Sequence, residues 1–284
     1  MARKSISERF LTMFGDIKYF KFPFFFVYDP GSYKVKGDDV RELIDILEPG
    51  DILLRSYTMY VDGLFIPGLF SHAGLYYGEV AEDSRPRVGS RIEDLEERKR
   101  ANELFKTGKQ MVIHSMAEGV FIEDILTFSR CDKLAVIRLP EVLRKKEGVS
   151  PLGIPEEFYS DEERRIRERL QAGQAVARDE VVPLAKEEAL ANVGRSYDFD
   201  FDFANFARLS CSELVYFCYK AVDQHIEVAP REKRMLFIKK KIVAPDAFLR
   251  ANLNCAWASR SVRPEIEELG IAIGTTPHKA RAAG

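Results

Sequence analysis

Leu209-Ser210-Cys211-Ser212-Glu213-Leu214-Val215-Tyr216-Phe217-Cys218-Tyr219 opens with a helix-start signal and continues as an apolar run. Ser210 followed by Glu213 fits a capping box, so a helix is expected to begin at Ser210 with Cys211 as its first helical residue. At that position unpaired backbone N–H groups and the positive end of the helix dipole face the sulfur. They favour thiolate over thiol, and a nearby imidazole would deepen the effect. A cysteine on an apolar helix is more often a small core residue, so the chemistry needs support from elsewhere in the chain.

Two upstream stretches supply that support. Phe70-Ser71-His72-Ala73-Gly74-Leu75-Tyr76-Tyr77-Gly78 reads as a buried strand with His72 at its entrance, and Gln110-Met111-Val112-Ile113-His114-Ser115-Met116 reads as the next strand. Of the four histidines, the other two are His225, after the cysteine helix, and His278, in the C-terminal tail. One strand histidine alone is ordinarily a core imidazole bonded to backbone. Two of them with a helix-start cysteine make the nucleophile, base and orienting group of a thiol hydrolase.

The order of Ser71-His72-Ala73-Gly74-Leu75-Tyr76-Tyr77-Gly78, Glu118-Gly119-Val120 and Ser210-Cys211-Ser212-Glu213-Leu214-Val215 resembles the circularly permuted branch of the NlpC-type papain-like superfamily. Within it the chain looks like the YiiX/YaeF-like group, related to the lecithin:retinol acyltransferase-like enzymes. The likeness runs from about Glu48 to Ala258. It includes Glu48-Pro49-Gly50-Asp51-Ile52-Leu53-Leu54 as the opening strand and Gly194-Arg195-Ser196-Tyr197-Asp198-Phe199-Asp200 before the nucleophile.

The resemblance implies an α+β, permuted papain-like fold, with a central antiparallel sheet and the nucleophile helix packed against it. It makes Cys211 the nucleophile, His72 the general base and the polar residue of the next strand, here His114, the orienting group. Glu118 competes for that third role. Tyr197 is expected to line the substrate cleft together with Ser71 and Ser210, although an aromatic packing residue in a turn is an equal reading of Tyr197. The implied chemistry is acyl transfer through a thioester: His72 holds Cys211 as thiolate, the sulfur attacks a carbonyl, and the imidazolium protonates the leaving group. The Cys211 N–H would meet the oxyanion with a second donor that the motifs do not identify.

Composition bounds the alternatives. The 284 residues, 46% of them apolar, suffice for one decorated core, and the net charge of −2 gives no sign of a nucleic-acid binder. Lys239-Lys240-Lys241 and Arg98-Lys99-Arg100 read as solvated faces. The four cysteines form no CxxC pair and no disulfide framework, and Cys218 is expected to pack in the core. No metal-ligand spacing or phosphate loop appears, so the expected mechanism needs no metal and no cofactor. Asp198-Phe199-Asp200-Phe201-Asp202-Phe203 alternates acidic and aromatic residues, as a strand or extended loop would. It lacks the glycine and terminal glutamate of an EF-hand calcium loop.

The expected organisation is an N-terminal extension over 1–47, a catalytic domain over 48–258 with insertions near 79–109 and 144–190, and a C-terminal tail over 259–284. Asp161 to Leu170 reads as an exposed helix with paired charges. The N-terminus with its aromatic stretch Phe20 to Tyr28 is not read as a signal peptide, because Asp16, Lys18, Lys21 and Pro23 interrupt any apolar region there. Ile6 to Tyr19 has the spacing of an amphipathic helix. A cytoplasmic protein is expected, with peripheral membrane contact through this segment as the second reading. The expected activity is cleavage of a peptide or other amide. A lipid ester or amide hydrolase or acyltransferase of the same fold is the alternative, and a non-catalytic binding module the alternative from another class.

Overall fold

The computed structural model describes residues 33–57, 68–200, 203, 206–228 and 242–274 in full, and the backbone alone of 17–20, 25–28, 231–235 and 238–241. In chain order the strands are β1 (Ile17–Phe20), β2 (Phe25–Tyr28), β3 (Ile52–Ser56), β4 (His72–Val80), β5 (Gly108–Met116), β6 (Gly119–Asp124), β7 (Lys133–Arg138), β8 (Val142–Leu143), β9 (Val176–Ala177), β10 (Arg231–Met235), β11 (Ile238–Ile242) and β12 (Asn254–Ala258). The α-helices are α1 (Gly37–Ile46), α2 (Leu95–Glu103), α3 (Ile125–Phe128), α4 (Asp161–Gln171), α5 (Arg178–Ala191), α6 (Cys211–Cys218) and α7 (Arg263–Glu268).

The architecture is α+β around a six-stranded sheet of order β12-β7-β3-β4-β5-β6, antiparallel at every pairing. Side chains alternate between its two faces, and both faces are covered, which explains why all five residues of β3 are buried. One face sets Ile52, Leu54, Ala73, Leu75, Ile113 and Ile122 in a core shared with α5 and α6. The other sets Leu53, Tyr76, Val112, Leu134 and Val136 in a core with Leu43 of α1, Phe128 of α3 and Trp257.

The expected helix over the nucleophile segment is present as α6, and all eight of its residues are buried. Ser210 is its N-cap: Ser210 Oγ accepts from Glu213 N at 3.4 Å, and Ser210 N donates to Glu213 Oε2 at 2.7 Å. Packing continues past both expected boundaries of the catalytic domain. Trp257 Nε1 donates to Glu42 of α1, Arg260 N donates to Asp39, and Gly274 N donates to Cys255 O at 2.8 Å. Residues 259–274 therefore belong to the folded unit rather than to a tail. Residues 275–284 lie outside the described residues.

Two local expectations are corrected, and one left open between strand and extended loop is narrowed. α4 is not an exposed helix, because Glu163, Ile166 and Leu170 on one of its faces are buried. Residues 17–20 form no helix; β1 pairs with β2 in a hairpin, as aromatic and β-branched residues around Pro23 favour, while residues 6–16 lie outside the described residues. The alternating acidic-aromatic stretch is no strand at its start: Asp200 N donates to the Asp198 carboxylate in a turn, and residues 201 and 202 lie outside the described residues. Among the described residues no helix is long and apolar enough to cross a membrane.

Candidate active site

The sheet register brings the two strand histidines together. Gly74 of β4 stands opposite His114 of β5, and Arg55 of β3 stands opposite His72, so Arg55, His72 and His114 share one face. His72 Nε2 lies 2.9 Å from His114 Nδ1, with the rings nearly perpendicular. Phe128 packs against both rings. The third expected site residue, Cys211, begins α6 on the opposite side of the same strands. Ser115, the neighbour of His114, donates its hydroxyl to Leu209 O at 2.5 Å and so holds the segment leading to Cys211 against β5. The backbone N–H groups of Ala73, the neighbour of His72, and of Ser212 lie near the Cys211 sulfur and favour its anion.

The thiol has two further polar neighbours, Ser212 Oγ at 4.0 Å and the Tyr197 hydroxyl. Tyr197 is thus at the nucleophile, where it had been expected to line the cleft. Ser210 is held in the helix cap, while Ser71 is buried beside His72 with its N–H bonded to Arg55 O at 3.1 Å. A direct bond between Cys211 Sγ and the His72 ring is not among these contacts. In this resting arrangement His72 Nε2 is turned to His114, and the sulfur to Ala73, Ser212 and Tyr197.

The electrostatics correct the expectation of a resting thiolate. Burial pushes the Cys211 thiol up, against the Ala73 and Ser212 N–H groups that favour the anion. Burial also holds His72 well below its usual value, with the Arg55 cation and His114 adding to the effect. His114 is depressed in the same way, by burial first and then by Arg55 and Lys106. The helix start alone does not make a thiolate where the group is 2% exposed. Both shifts favour the neutral forms, thiol and imidazole.

Two residues of the cluster went unread in the sequence. Glu123 of β6 stands opposite Val112, two residues from His114 on the same face. Its Oε2 lies 3.2 Å from His114 Nε2, within ion-pair reach though off the hydrogen-bond line, so neither atom has a hydrogen-bond partner at rest. Burial raises the Glu123 carboxyl, opposed by Arg55 and Lys106. Arg55 is 3% exposed, stacks 4.2 Å over the Phe128 ring, donates to Phe128 O at 3.0 Å and stands 3.7 Å from Glu123. Glu118, weighed as the third residue, is exposed in the turn between β5 and β6. Counting the antiparallel register outward from that turn would have found Glu123. Gly119, at φ 100°, makes the turn possible, and a Cβ there would run into Arg195 O.

His225 stands apart from the site, bonded to Arg144 O and Asn252 O as a core histidine. Among the described residues no group of three or more His, Cys, Asp or Glu is placed to hold a metal ion.

No family model matches the chain, and no curated protein matches it. Among solved structures it is similar to that of metalloprotein YiiX from Escherichia coli O157:H7, at 15% identity and a TM-score of 0.43, over 75% of this chain and 98% of that one. A likeness of this strength carries no residue roles across.

Proposed function

We propose that the protein is a cysteine hydrolase that cleaves a peptide or other amide through Cys211, His72 and His114, with Glu123 completing a polar relay. The supporting observation is the 2.9 Å contact between His72 Nε2 and His114 Nδ1, on the two strands against which a capped helix with Cys211 at its first position is packed. If His114 carries its proton on Nε2 toward Glu123, its Nδ1 accepts from His72 Nε2–H. His72 Nδ1 is then left with the lone pair that a general base needs.

Because burial favours the neutral thiol and imidazole, attack and proton transfer proceed together. This step requires the His72 ring, at the opening of β4, to come within reach of the sulfur and take its proton as the S–C bond forms. Glu123 and His114 stabilise the imidazolium. Collapse of the tetrahedral intermediate breaks the C–N bond, and His72 passes its proton to the leaving amine. A water then gives its proton to His72 while attacking the thioester, which releases the acid and restores the thiol. The Cys211 N–H at the helix start is one oxyanion donor.

One observation favours the non-catalytic reading: Cys211 is 2% exposed and its sulfur is partnered by groups other than His72. Incubation with labelled N-acyl peptides and, separately, labelled phospholipid, followed by acid quench and mass spectrometry of the Cys211 peptide, distinguishes the readings. A peptide-derived acyl adduct on Cys211, absent in Cys211→Ala, is the expected result. An adduct from phospholipid alone would reassign the enzyme to lipid acyl chemistry. No adduct with either substrate, in a folded protein, would leave the binding module.

A further inference from the structure

β10 and β11 form a two-stranded sheet of their own, separate from the six-stranded sheet. The hairpin Arg231–Ile242 holds six basic residues and one acidic residue, in a chain whose net charge is −2. Its register makes the concentration unusual. Lys233 stands opposite Lys240 and Arg234 opposite Lys239, so two cross-strand pairs set like charges against each other, and only Glu232 opposite Lys241 is complementary. Like charges directly opposed destabilise a hairpin. An anionic partner would remove that cost.

Period-two alternation places Arg231, Lys233 and Lys240 at positions of one face and Arg234, Lys239 and Lys241 at positions of the other. At its far end stands the apolar pair Met235 and Ile238. A basic stem with an apolar end matches a lipid surface, where headgroups meet the charge and the acyl boundary meets the apolar residues; it does not match a phosphate backbone. The chain that leaves the hairpin is tied to the segment before His72. Ile242 is buried, and four residues later the Asp246 carboxylate accepts from Leu69 N at 2.9 Å and Phe70 N at 2.8 Å, the segment that leads into His72.

We infer that the Arg231–Ile242 hairpin docks the protein on an anionic lipid surface with the His72 end of the sheet toward it. The inference does not depend on the chemistry at Cys211, because vesicle binding is read without turnover. The full chain should co-sediment with phosphatidylserine-containing phosphatidylcholine vesicles and be released by salt. Lys239→Glu combined with Lys240→Glu should weaken that binding by at least about tenfold, since each basic residue near an anionic surface is worth roughly fivefold in partitioning. The same variant should keep the Cys211 alkylation rate of the parent, which separates lost docking from lost fold. No binding to anionic vesicles, equal binding to pure phosphatidylcholine, unchanged binding in the double variant, or retention on duplex nucleic acid in place of vesicles would each overturn the inference.

Discussion

Between His72 and Glu123 the site is a line of three side chains, and each member has a separable signature. Loss of His114 as His114→Ala should lower kcat on an amide substrate by about 10²-fold, the scale of lost orientation and proton-transfer assistance. Glu123→Gln should lower kcat less, with KM unchanged, and should cost little further in the His114→Ala background, because of the two histidines Glu123 reaches only His114. Arg55 contributes through its charge. It helps to hold both imidazoles below their usual range, so Arg55→Met should move the acid limb of kcat/KM to higher pH, even if the amplitude falls from lost packing. An acid limb that stays in place would show that burial alone sets the two rings.

At the level of elements, the start of α6 depends on one short capping exchange. Ser210→Ala removes the hydroxyl that accepts from Glu213 N and should cost about 1 kcal/mol of stability by denaturant titration. Glu213 is less simple. Burial and then the Asp198 charge push its carboxyl up to about 7, although Ser210 N and Phe203 N both donate to it. Its folded pKa lies above the unfolded value, so folding retains a proton there, and stability from this group falls as pH rises from about 4.5 to 7. Glu213→Gln should flatten that dependence, while its amide NH₂ opposes one of the two N–H donors. The helix, its cap and the two histidine strands were legible because local signals specify them: a capping box, period-two apolar runs and a glycine turn. Glu123 and Arg55 were not, because an isolated charged residue in a strand has no local mark. Only the register, five residues past the turn for Glu123 and across β3 for Arg55, places them beside the histidines.

Across the whole molecule, the segments read as insertions are structural. α4 and α5 send Glu163 and Glu188 to Lys220, just beyond α6, at 2.6 and 2.8 Å, and all three are nearly fully buried. Arg91 stands 3.0 Å from Glu188 and adds a second cation. Lys220→Met would leave two buried carboxylates short of a partner and should cost about 3–5 kcal/mol. This network escaped sequence reading because its charges are more than 20 residues apart along the chain, and α4 was read as solvated for the same reason. Acid should act on the site's fold as well. His72 and His114 are depressed in the folded state, so below about pH 6.5 the unfolded chain binds more protons and stability falls. His114→Asn should make the loss of Tm between about pH 7 and pH 5 shallower than in the parent.

The central claim, that His72 acts on Cys211, is tested most directly by the rate of carbamidomethylation at each of the four cysteines across pH, read by mass spectrometry in the parent and in His72→Ala. Cys131 and Cys255 are pushed up to about 12 and about 11 by burial, and Cys218 well above its ordinary range. The account predicts that Cys211 labels fastest and that its rate still climbs at pH values above the ordinary thiol range. It also predicts that His72→Ala slows Cys211 alone at neutral pH. Labelling of Cys211 no faster than of the core cysteines, or at a rate indifferent to His72→Ala in a folded protein, would contradict it.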